Sequence, residues 1–376
     1  MVSRFKALIH ARNWYARYER PISSLSLVGG FVFNAIALTR VDEFKENFWI
    51  AIHLLVAAGC ILLLNRQEND EGDDPMTMGS NPARLHFWLI NILQFMFGGL
   101  LSTFLVFYFR SAALSISWPF MLLLLIAFIA NESFKRHYAR LYFQVSFLFF
   151  SIFLFAIFFI PVLVHDISPA TFVGSGIASL LIIWLFLKLL KFTGHESLGQ
   201  KKFLLFGAIM FIFGSVNVLY FFNFIPPLPL ALHDAGVYHS ITRTADGNYS
   251  VVKETETWTD KVGQYFGNFQ AYHNESGKPV YVYSSVFSPT DFAITVIHEW
   301  QKYDEAEKKW NSVSLVTLPT KGGRVGGYRT YSARTNVSPG KWRVTIKIPS
   351  GQVLGQLTFS VIATDTPPPV ETEIKK

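Results

Sequence analysis

Histidine and cysteine most often supply a catalytic base, a nucleophile or a metal ligand, and in this chain they are sparse. The one cysteine, Cys60, lies in an apolar run, which excludes a disulfide within the chain and a thiolate zinc site. His298 and Glu299 are neighbours on a predicted strand, so they point to opposite faces and cannot act together as a base and its orienting group. His298 shares its face with Trp300, which indicates a core histidine. The other C-terminal histidines, His233, His239 and His273, lack ligand spacing. These residues predict no catalytic group, no metal site and no cofactor.

Basic residues dominate one long stretch near the C-terminus. From Lys308 to Thr364 there are nine Lys and Arg and no Asp or Glu. A surface of this kind attracts anionic headgroups, acidic glycans or an acidic patch of another protein. The candidate anion-binding residues are Arg324, Arg329, Arg334, Lys341, Arg343 and Lys347. The alternative is that acidic strands from residues 233–307 lie beside the basic ones and neutralise them.

Polar side chains inside apolar runs form the third group that could do chemistry, because a charge in hydrocarbon usually marks a proton or solute path. His53 is the titratable side chain nearest the middle of such a run, while Asn91 and Gln94 are polar and neutral. These three form a candidate intramembrane polar site. The alternative for each is an ordinary hydrogen bond between helices.

Seven apolar runs carry these polar groups, and 51% of the chain is hydrophobic. A helix needs about 20 apolar residues to cross the hydrocarbon of a bilayer. The predicted transmembrane helices cover residues 22–39, 47–64, 85–108, 112–130, 143–164, 169–190 and 203–225, of which the first two are the least secure. Gly98 and Gly99 stand four residues before Ser102 and Thr103, which predicts a close approach between helices.

Orientation follows from the Lys and Arg on alternate loops, because basic residues resist translocation. With the N-terminus inside, the inner segments hold fourteen: Arg4, Lys6, Arg12, Arg17, Arg20, Arg66, Arg84, Lys135, Arg136, Arg140, Lys188, Lys191, Lys201 and Lys202. The outer loops hold three: Arg40, Lys45 and Arg110. Seven spans then place the C-terminal region outside the cytoplasm, and the failure of one span is expected to invert that location.

After the last apolar run the pattern changes to short alternating segments separated by Gly and Pro. In KWRVTIKI, Trp342, Val344 and Ile346 point one way and Arg343 and Lys347 the other. Strands are predicted near residues 237–244, 249–258, 279–287, 291–300, 310–318, 327–336, 341–348 and 353–362. Some eight short strands at this spacing predict an antiparallel, immunoglobulin-like β-sandwich.

Together these patterns predict an α-helical transmembrane bundle followed by an all-β domain. The predicted plan is a basic amphipathic cytoplasmic segment (1–21), a transmembrane helical domain (22–225), a Pro-rich linker (226–236), an extracytoplasmic β-sandwich (237–364) and a disordered tail (365–376).

SPGKWRVTIKIPSGQVLGQLTFSV, residues 338–361, resembles the closing hairpin of a bacterial membrane-protein family known as domain of unknown function 2914. HEWQKYD at 298–304, GGYRTYSAR at 326–334 and the opening segment at 19–42 are similar to that family too. The resemblance implies a membrane location and this domain plan, and it carries over no site residue.

Two functions from different classes are consistent with these patterns. The first is a non-enzymatic envelope protein of the bacterial inner membrane, anchored in the lipid bilayer, whose β-sandwich binds an anionic lipid, a glycan or another envelope protein. The second is a carrier or channel in which the spans do the work and the β domain gates or recruits. Nucleic acid is not expected as a partner outside the cytoplasm.

Overall fold

A computed structural model of the chain describes residues 28–38, 43–70, 81–133, 140–192, 198–255, 269–275, 277–289, 293–321 and 327–375. The predicted amphipathic segment 1–21 lies outside these residues. The chain divides into two compact units, and the second comprises Arg110–Trp118, Val164–Pro169 and Phe222–Lys376. The helices are α1 (Val28–Ala37), α2 (Phe44–Asp70), α3 (Asn81–Ser111), α4 (Leu114–Ser133), α5 (Leu141–Val164), α6 (Pro169–Phe192) and α7 (Leu198–Phe221).

Six of these helices, α2 to α7, are long and apolar enough to cross a membrane. They coincide with the last six predicted spans, so the second span, one of the two least secure, is a long apolar helix. The first predicted span differs, because α1 has only ten residues in the described part of the chain. A helix rises about 1.5 Å per residue, so ten residues are too few to cross the hydrocarbon. Seven spans are therefore not confirmed.

Helix α3 packs closely against three neighbouring helices through the small residues Gly98, Gly99 and Ser102. Asn34 of α1 donates to the Ser102 hydroxyl at 3.0 Å. A methyl group added at Gly99 would lie 3.1 Å from Nε2 of His53 on α2. A methyl group at Gly98 would lie 3.1 Å from the Asn131 amide of α4. The close approach predicted around Gly98 and Gly99 is confirmed.

The β domain (residues 231–375) has more strands than the pattern indicated. They are β1 (Ala231–Tyr238), β2 (Ser240–Arg243), β3 (Tyr249–Glu254), β4 (Gln270–Asn274), β5 (Val280–Phe287), β6 (Ala293–Asp304), β7 (Lys309–Lys321), β8 (Tyr328–Arg334), β9 (Gly340–Lys347), β10 (Val353–Ala363) and β11 (Val370–Lys375). They form three sheets, in the orders β1-β5-β8, β4-β10-β9-β6-β7 and β11-β3-β2. The pairs are antiparallel except that β4 and β10 run parallel. A parallel pair cannot be joined by a tight hairpin, and these two strands are far apart in the chain.

The alternation predicted for β6 and β9 is confirmed by burial. Val296, His298 and Trp300 of β6 are fully buried. Trp342, Val344 and Ile346 of β9 are buried too. Trp342 and Val344 share one core with side chains of β1, β4, β5 and β10, whereas Ile346 belongs to a second core with Val286 and Val296. We call the opposite side of the five-stranded sheet the outer face. It carries Lys341, Arg343, Thr345 and Lys347 on β9 and Glu299, Gln301 and Tyr303 on β6.

Two predicted boundaries are wrong. Strand β1 begins at Ala231, inside the range assigned to the Pro-rich linker, because the alternation of residues 231–238 pairs with β5. Strand β11 lies inside the tail that was predicted to be disordered. The prolines at 367–369 masked the alternation of the VETEIK segment, which pairs antiparallel with β3 along its whole length. The Lys375 ammonium adds an ion pair to Asp234 at 3.0 Å.

Candidate functional site

Three of the six candidate cations stand in a row on β9. Side chains two residues apart on a strand point to the same side, so Lys341, Arg343 and Lys347 share the outer face. The neighbouring strand β6 runs antiparallel to β9 and places Gln301 opposite Arg343 and Glu299 opposite Thr345. Acidic and basic strands are therefore neighbours in this sheet.

Two of the three lysine and arginine side chains in this row are neutralised by carboxylates. The Lys347 ammonium lies 2.5 Å from Oε2 of Glu299, and both side chains are largely buried. The Lys341 ammonium lies 2.9 Å from Oε1 of Glu305, and both are exposed. Burial acts to raise the pKa of Glu299, but the hydrogen bonds from Lys347, Ser312 and Gln301 and the charge of Lys347 together outweigh that effect, and the pKa is lowered. At these two positions the neutralising alternative holds.

Arg343 is the exception in this row. Its Nε donates to Oε1 of Gln301 at 2.6 Å, and its guanidinium carbon lies 4.5 Å from the centre of the Trp310 ring. Within the described part of the chain, no carboxylate forms an ion pair with it. Burial lowers the pKa of Arg343, but a guanidinium stays charged throughout the physiological range. The charge of Glu299 acts on Arg343 from a distance, but Glu299 forms its ion pair with Lys347 and not with Arg343.

An aromatic cluster adjoins Arg343 on the outer face. It consists of Phe269, Tyr303 and Trp310, all partly exposed. The Tyr303 and Trp310 ring centres are 5.1 Å apart, and those of Phe269 and Trp310 are 6.3 Å apart. The Lys341 ammonium lies 5.2 Å from the Tyr303 ring centre, within the range of a cation–π contact. The sequence pattern did not predict this cluster. Phe269 directly precedes β4 and Trp310 lies on β7, and these two strands form opposite edges of the sheet.

The other candidate cations do not join this row. Arg329 and Arg334 lie on β8, in the three-stranded sheet with β1 and β5. Arg329 is only 6% exposed and donates to the Asn248 side chain at 3.1 Å. The Arg334 guanidinium lies 5.7 Å from the ring centre of Trp342, a core residue. Arg324 lies outside the described residues. The predicted set is thus divided between two sheets.

His298 is a buried core residue, as its position beside Trp300 predicted. Its Nε2 lies 2.8 Å from the Ser284 hydroxyl, and its Nδ1 lies 2.9 Å from the Ser332 hydroxyl. Trp300 donates to the same Ser332 oxygen at 3.1 Å. Burial lowers the pKa of His298 to about 4. The imidazole is neutral and enclosed, so a substrate has no access to the Ser–His pair.

A second polar cluster was not predicted, because its members come from three separate strand ends. Glu254 at the end of β3 lies 3.1 Å from Nε2 of His239 and 2.9 Å from Nδ1 of His273. The Tyr272 hydroxyl lies 3.2 Å from the remaining nitrogen of His239. Burial acts to raise the pKa of Glu254, but the hydrogen bonds from His239 and His273 outweigh it and the pKa is lowered. No group of His, Cys, Asp and Glu among the described residues is arranged to hold a metal ion. The cluster joins strand ends of two sheets.

The three intramembrane candidates lie on α2 and α3 and do not form one site. Nδ1 of His53 lies 2.9 Å from the Trp49 carbonyl oxygen, one turn earlier on the same helix. Asn91 donates to the Phe87 carbonyl within α3. Gln94 exchanges hydrogen bonds with Asn131 of α4, each side chain donating to the other backbone carbonyl at 3.3 Å. The interhelical alternative thus fits Gln94, whereas the hydrogen bonds of His53 and Asn91 lie within their own helices.

Comparisons with solved structures give only distant likenesses. An immunoglobulin-like protein from Pseudomonas aeruginosa is 10% identical, with a TM-score of 0.20, over 36% of this chain and 98% of its own. A β-glucosidase from Listeria innocua in complex with glucose is 10% identical, with a TM-score of 0.18, over 30% of this chain and 16% of its own. The alkylpurine DNA glycosylase AlkC of Pseudomonas fluorescens is 12% identical, with a TM-score of 0.22, over 86% of this chain and 99% of its own. At such scores the likenesses support no conclusion about function.

None of the curated proteins matches the chain. One family model does match, within the β domain. The match runs from residue 294 to residue 361, which takes in most of β6, the strands β7, β8 and β9, and most of β10. It covers both β6 and β9, the strands that supply Gln301 and Arg343 to the outer face. Residues 294–361 of this chain are a domain of the family described as protein of unknown function, DUF2914.

Proposed function

We propose that the chain is an integral protein of a bacterial inner membrane that presents an immunoglobulin-like β-sandwich outside the cytoplasm, where this domain binds an anionic ligand without catalysing a reaction. The observation that carries the proposal is Arg343, a partly exposed arginine beside an aromatic cluster, which forms no direct ion pair with a described carboxylate. An unneutralised arginine at a surface is a common recognition group for carboxylates and phosphates, because its planar fork matches both.

The orientation in this proposal rests on the loops between the six long helices. If each helix crosses the bilayer, the α2–α3, α4–α5 and α6–α7 connections lie on one side, and α3–α4, α5–α6 and the β domain on the other. The three connections of the first set, with the helix ends beside them, carry nine Lys and Arg, while the α3–α4 and α5–α6 connections carry Arg110 alone. Basic loops remain in the cytoplasm. The β domain then lies outside whether or not the first apolar run spans, so the expected inversion does not follow from losing that run.

The first run still matters for the N-terminus. If it did not cross, seven basic residues before α2 would lie outside, and the outer side would carry eight Lys and Arg against nine inside. With seven spans the ratio is three to fourteen. The larger bias favours a crossing by the first run and a cytoplasmic N-terminus.

Topology and binding test different parts of the proposal. We expect alkaline phosphatase to be active when fused after Asn223 or at the C-terminus, and a reporter that fluoresces only in the cytoplasm to be dark there. The reverse result would overturn the orientation. For binding, full-length protein in nanodiscs is compared with Arg343→Glu, using a negatively charged cation-exchange bead surface and soluble polyanions as probes. Unchanged binding by the variant would remove the anionic site.

The carrier or channel alternative stays a prediction of the sequence. In the described helices, His53 and Gln94 are engaged in backbone contacts, and no observation favours a solute path through them. Solute flux in reconstituted vesicles that is lost on changing His53 or Asn91 would revive it.

A further inference from the structure

The surface around Arg343 combines three kinds of group in one place. The aromatic cluster supplies partly exposed rings, Arg343 supplies a positive charge, and neighbouring side chains supply amides and hydroxyls. Gln356 donates to the Thr345 hydroxyl at 3.1 Å, and Thr345 donates to the Gln301 carbonyl oxygen at 3.3 Å. Gln301 accepts from Arg343 with that same oxygen. The side chains are therefore connected in one hydrogen-bonded row along the outer face.

This row holds Arg343 in place before any ligand arrives. The stacking on Trp310 and the Nε bond to Gln301 both constrain the guanidinium. A long side chain that is already ordered loses less entropy on binding, so its contact contributes more to affinity. The amide of Gln301 accepts with its oxygen and donates one N–H to Glu299, which leaves its other N–H for a further acceptor. The site offers donors in a fixed arrangement.

The charge around this end of the domain is positive. It lies at the ends of β4, β6, β8 and β10 and the beginnings of β7 and β9. The basic residues there are Lys278, Lys302, Lys308, Lys309, Arg334, Lys341 and Arg343, and the acidic ones are Glu275, Asp304, Glu305, Glu307 and Asp365. Seven positive against five negative groups favour an anionic ligand over a neutral one. The aromatic cluster adds a surface on which the C–H face of a sugar ring can pack, because the face of an aromatic ring is electronegative.

The surface lies at one end of strand β9. The turn between β9 and β10 lies beside the segment that follows α7, where Gln352 donates to the Ile225 carbonyl oxygen at 3.5 Å. Lys341 lies at the other end of β9, and a strand rises about 3.3 Å per residue, so it is roughly 20 Å along the strand from Lys347. The aromatic cluster is at the Lys341 end.

We infer that this end of the outer face binds an acidic glycan, a chain of sugar rings that carry carboxylates. Arg343 pairs with a carboxylate, the remaining N–H of Gln301 donates to a hydroxyl, and Tyr303 and Trp310 pack against ring faces. The inference rests on the proposed function and names the ligand class of that site. A surface that combines amides with partly exposed aromatic rings suits a hydroxyl-rich ligand.

The test measures binding of oligogalacturonate, a polyuronate, to the full-length protein in nanodiscs. Malto-oligosaccharide serves as the neutral sugar, polyglutamate as the acidic peptide, and vesicles of phosphatidylglycerol as the anionic lipid. Arg343→Gln and Trp310→Ala are each expected to weaken polyuronate binding by at least about tenfold, since stacked aromatic and arginine side chains dominate binding energy. Arg243→Gln is the matched control, because it removes an exposed arginine from β2, in another sheet.

The outcomes distinguish the proposed anionic ligand from the narrower inference of an acidic glycan. Polyuronate binding that depends on Arg343 and Trp310, is retained in the Arg243 variant and is absent with the other three probes supports the glycan site. Binding of polyglutamate or lipid vesicles in place of polyuronate, still dependent on Arg343, overturns the glycan inference and leaves the anionic ligand of the proposed function. No binding of any probe overturns both.

Discussion

Nδ1 of His298 lies 2.9 Å from the hydroxyl of Ser332 in the core of the β domain. Trp300 can only donate, and it donates to that same hydroxyl oxygen. The Ser332 proton is then available for Nδ1, which favours the tautomer with the ring proton on Nε2, directed at Ser284. One serine thus satisfies two large buried side chains and keeps the imidazole neutral.

This arrangement predicts a pH dependence of stability. The folded pKa of His298 is about 4, because burial disfavours the charged ring, whereas an unfolded histidine titrates near about 6.5. Below the unfolded value the unfolded state takes up the proton first, so stability falls as pH drops from about 6.5 to about 4, by about 3 kcal/mol in all. The urea midpoint of the β domain, followed by pulse proteolysis of detergent-solubilised full-length protein, should fall across that window. In His298→Gln the slope of stability against pH should be smaller by the equivalent of about one proton. An unaltered slope in that variant would mean that another group causes the pH dependence.

Removing the shared hydroxyl should be costly. Ser332→Ala leaves both the Trp300 N–H and His298 Nδ1 without their partner in a buried site, and each unsatisfied group costs about 1–3 kcal/mol. We expect a loss of at least about 2 kcal/mol in the free energy of unfolding, read from the same urea midpoints. Ser250→Ala, at a partly exposed serine of β3, is the control and should change stability by less than about 0.5 kcal/mol. Equal effects at the two serines would argue against the hydrogen-bonded core.

Two glycines with the same backbone conformation should respond differently to alanine. Gly327 and Gly277 have φ angles of +79° and +82°, so both substitutions strain the backbone. The added methyl group meets nothing within 4 Å at Gly277, but at Gly327 it lies 3.0 Å from the backbone carbon of Val286. Gly277→Ala should cost about 1 kcal/mol from the φ strain alone. Gly327→Ala should cost clearly more, because backbone atoms of β5 must move. The two midpoints test whether β8 enters the sheet as described.

Periodicity identified six of the seven helices as long spans and eight of the eleven strands, because those elements each bury one continuous face. It missed β1 and β11, whose flanking prolines suggested a linker and a tail, and β4, a five-residue strand that pairs parallel with β10. For the candidate site, composition indicated positive charge but not its balance. Lys347 is paired with a carboxylate because Glu299 of β6, 48 residues earlier, lies beside it. Only the pairing of β6 with β9 brings the two residues together.

Strand β11 should contribute to stability through a partly buried ion pair. The Lys375 side chain is 15% exposed and lies between Asp234 of β1 and Glu373. Burial acts to lower the pKa of Lys375, but hydrogen bonds to these carboxylates raise it above its ordinary value. Lys375→Ala removes the ion pair of Asp234, while Glu373 keeps its pair with Lys253, and the change should cost about 1–3 kcal/mol. Lys278→Ala removes an exposed lysine, paired with Glu275, and should cost less than about 1 kcal/mol. If both variants unfold at the same urea concentration, the C-terminal strand is not held as described.

In the helical unit, the contact between Gly99 and His53 can be tested by a compensating pair of substitutions. An alanine at Gly99 would bring its methyl group to 3.1 Å from His53 Nε2, and His53 is held in place by its hydrogen bond to the Trp49 carbonyl oxygen. Gly59 of α2 has nothing within 4 Å, so Gly59→Ala should be neutral or slightly stabilising, because alanine favours a helix over glycine by up to about 1 kcal/mol. Gly99→Ala should lower the thermal midpoint in detergent, and His53→Ala added to it should restore part of the loss, since the shorter side chain removes the obstruction.

A Gly99→Ala variant as stable as Gly59→Ala would mean that α2 and α3 do not approach at this point. A loss at Gly99 that His53→Ala leaves unrelieved would place the crowding on another neighbour of α3.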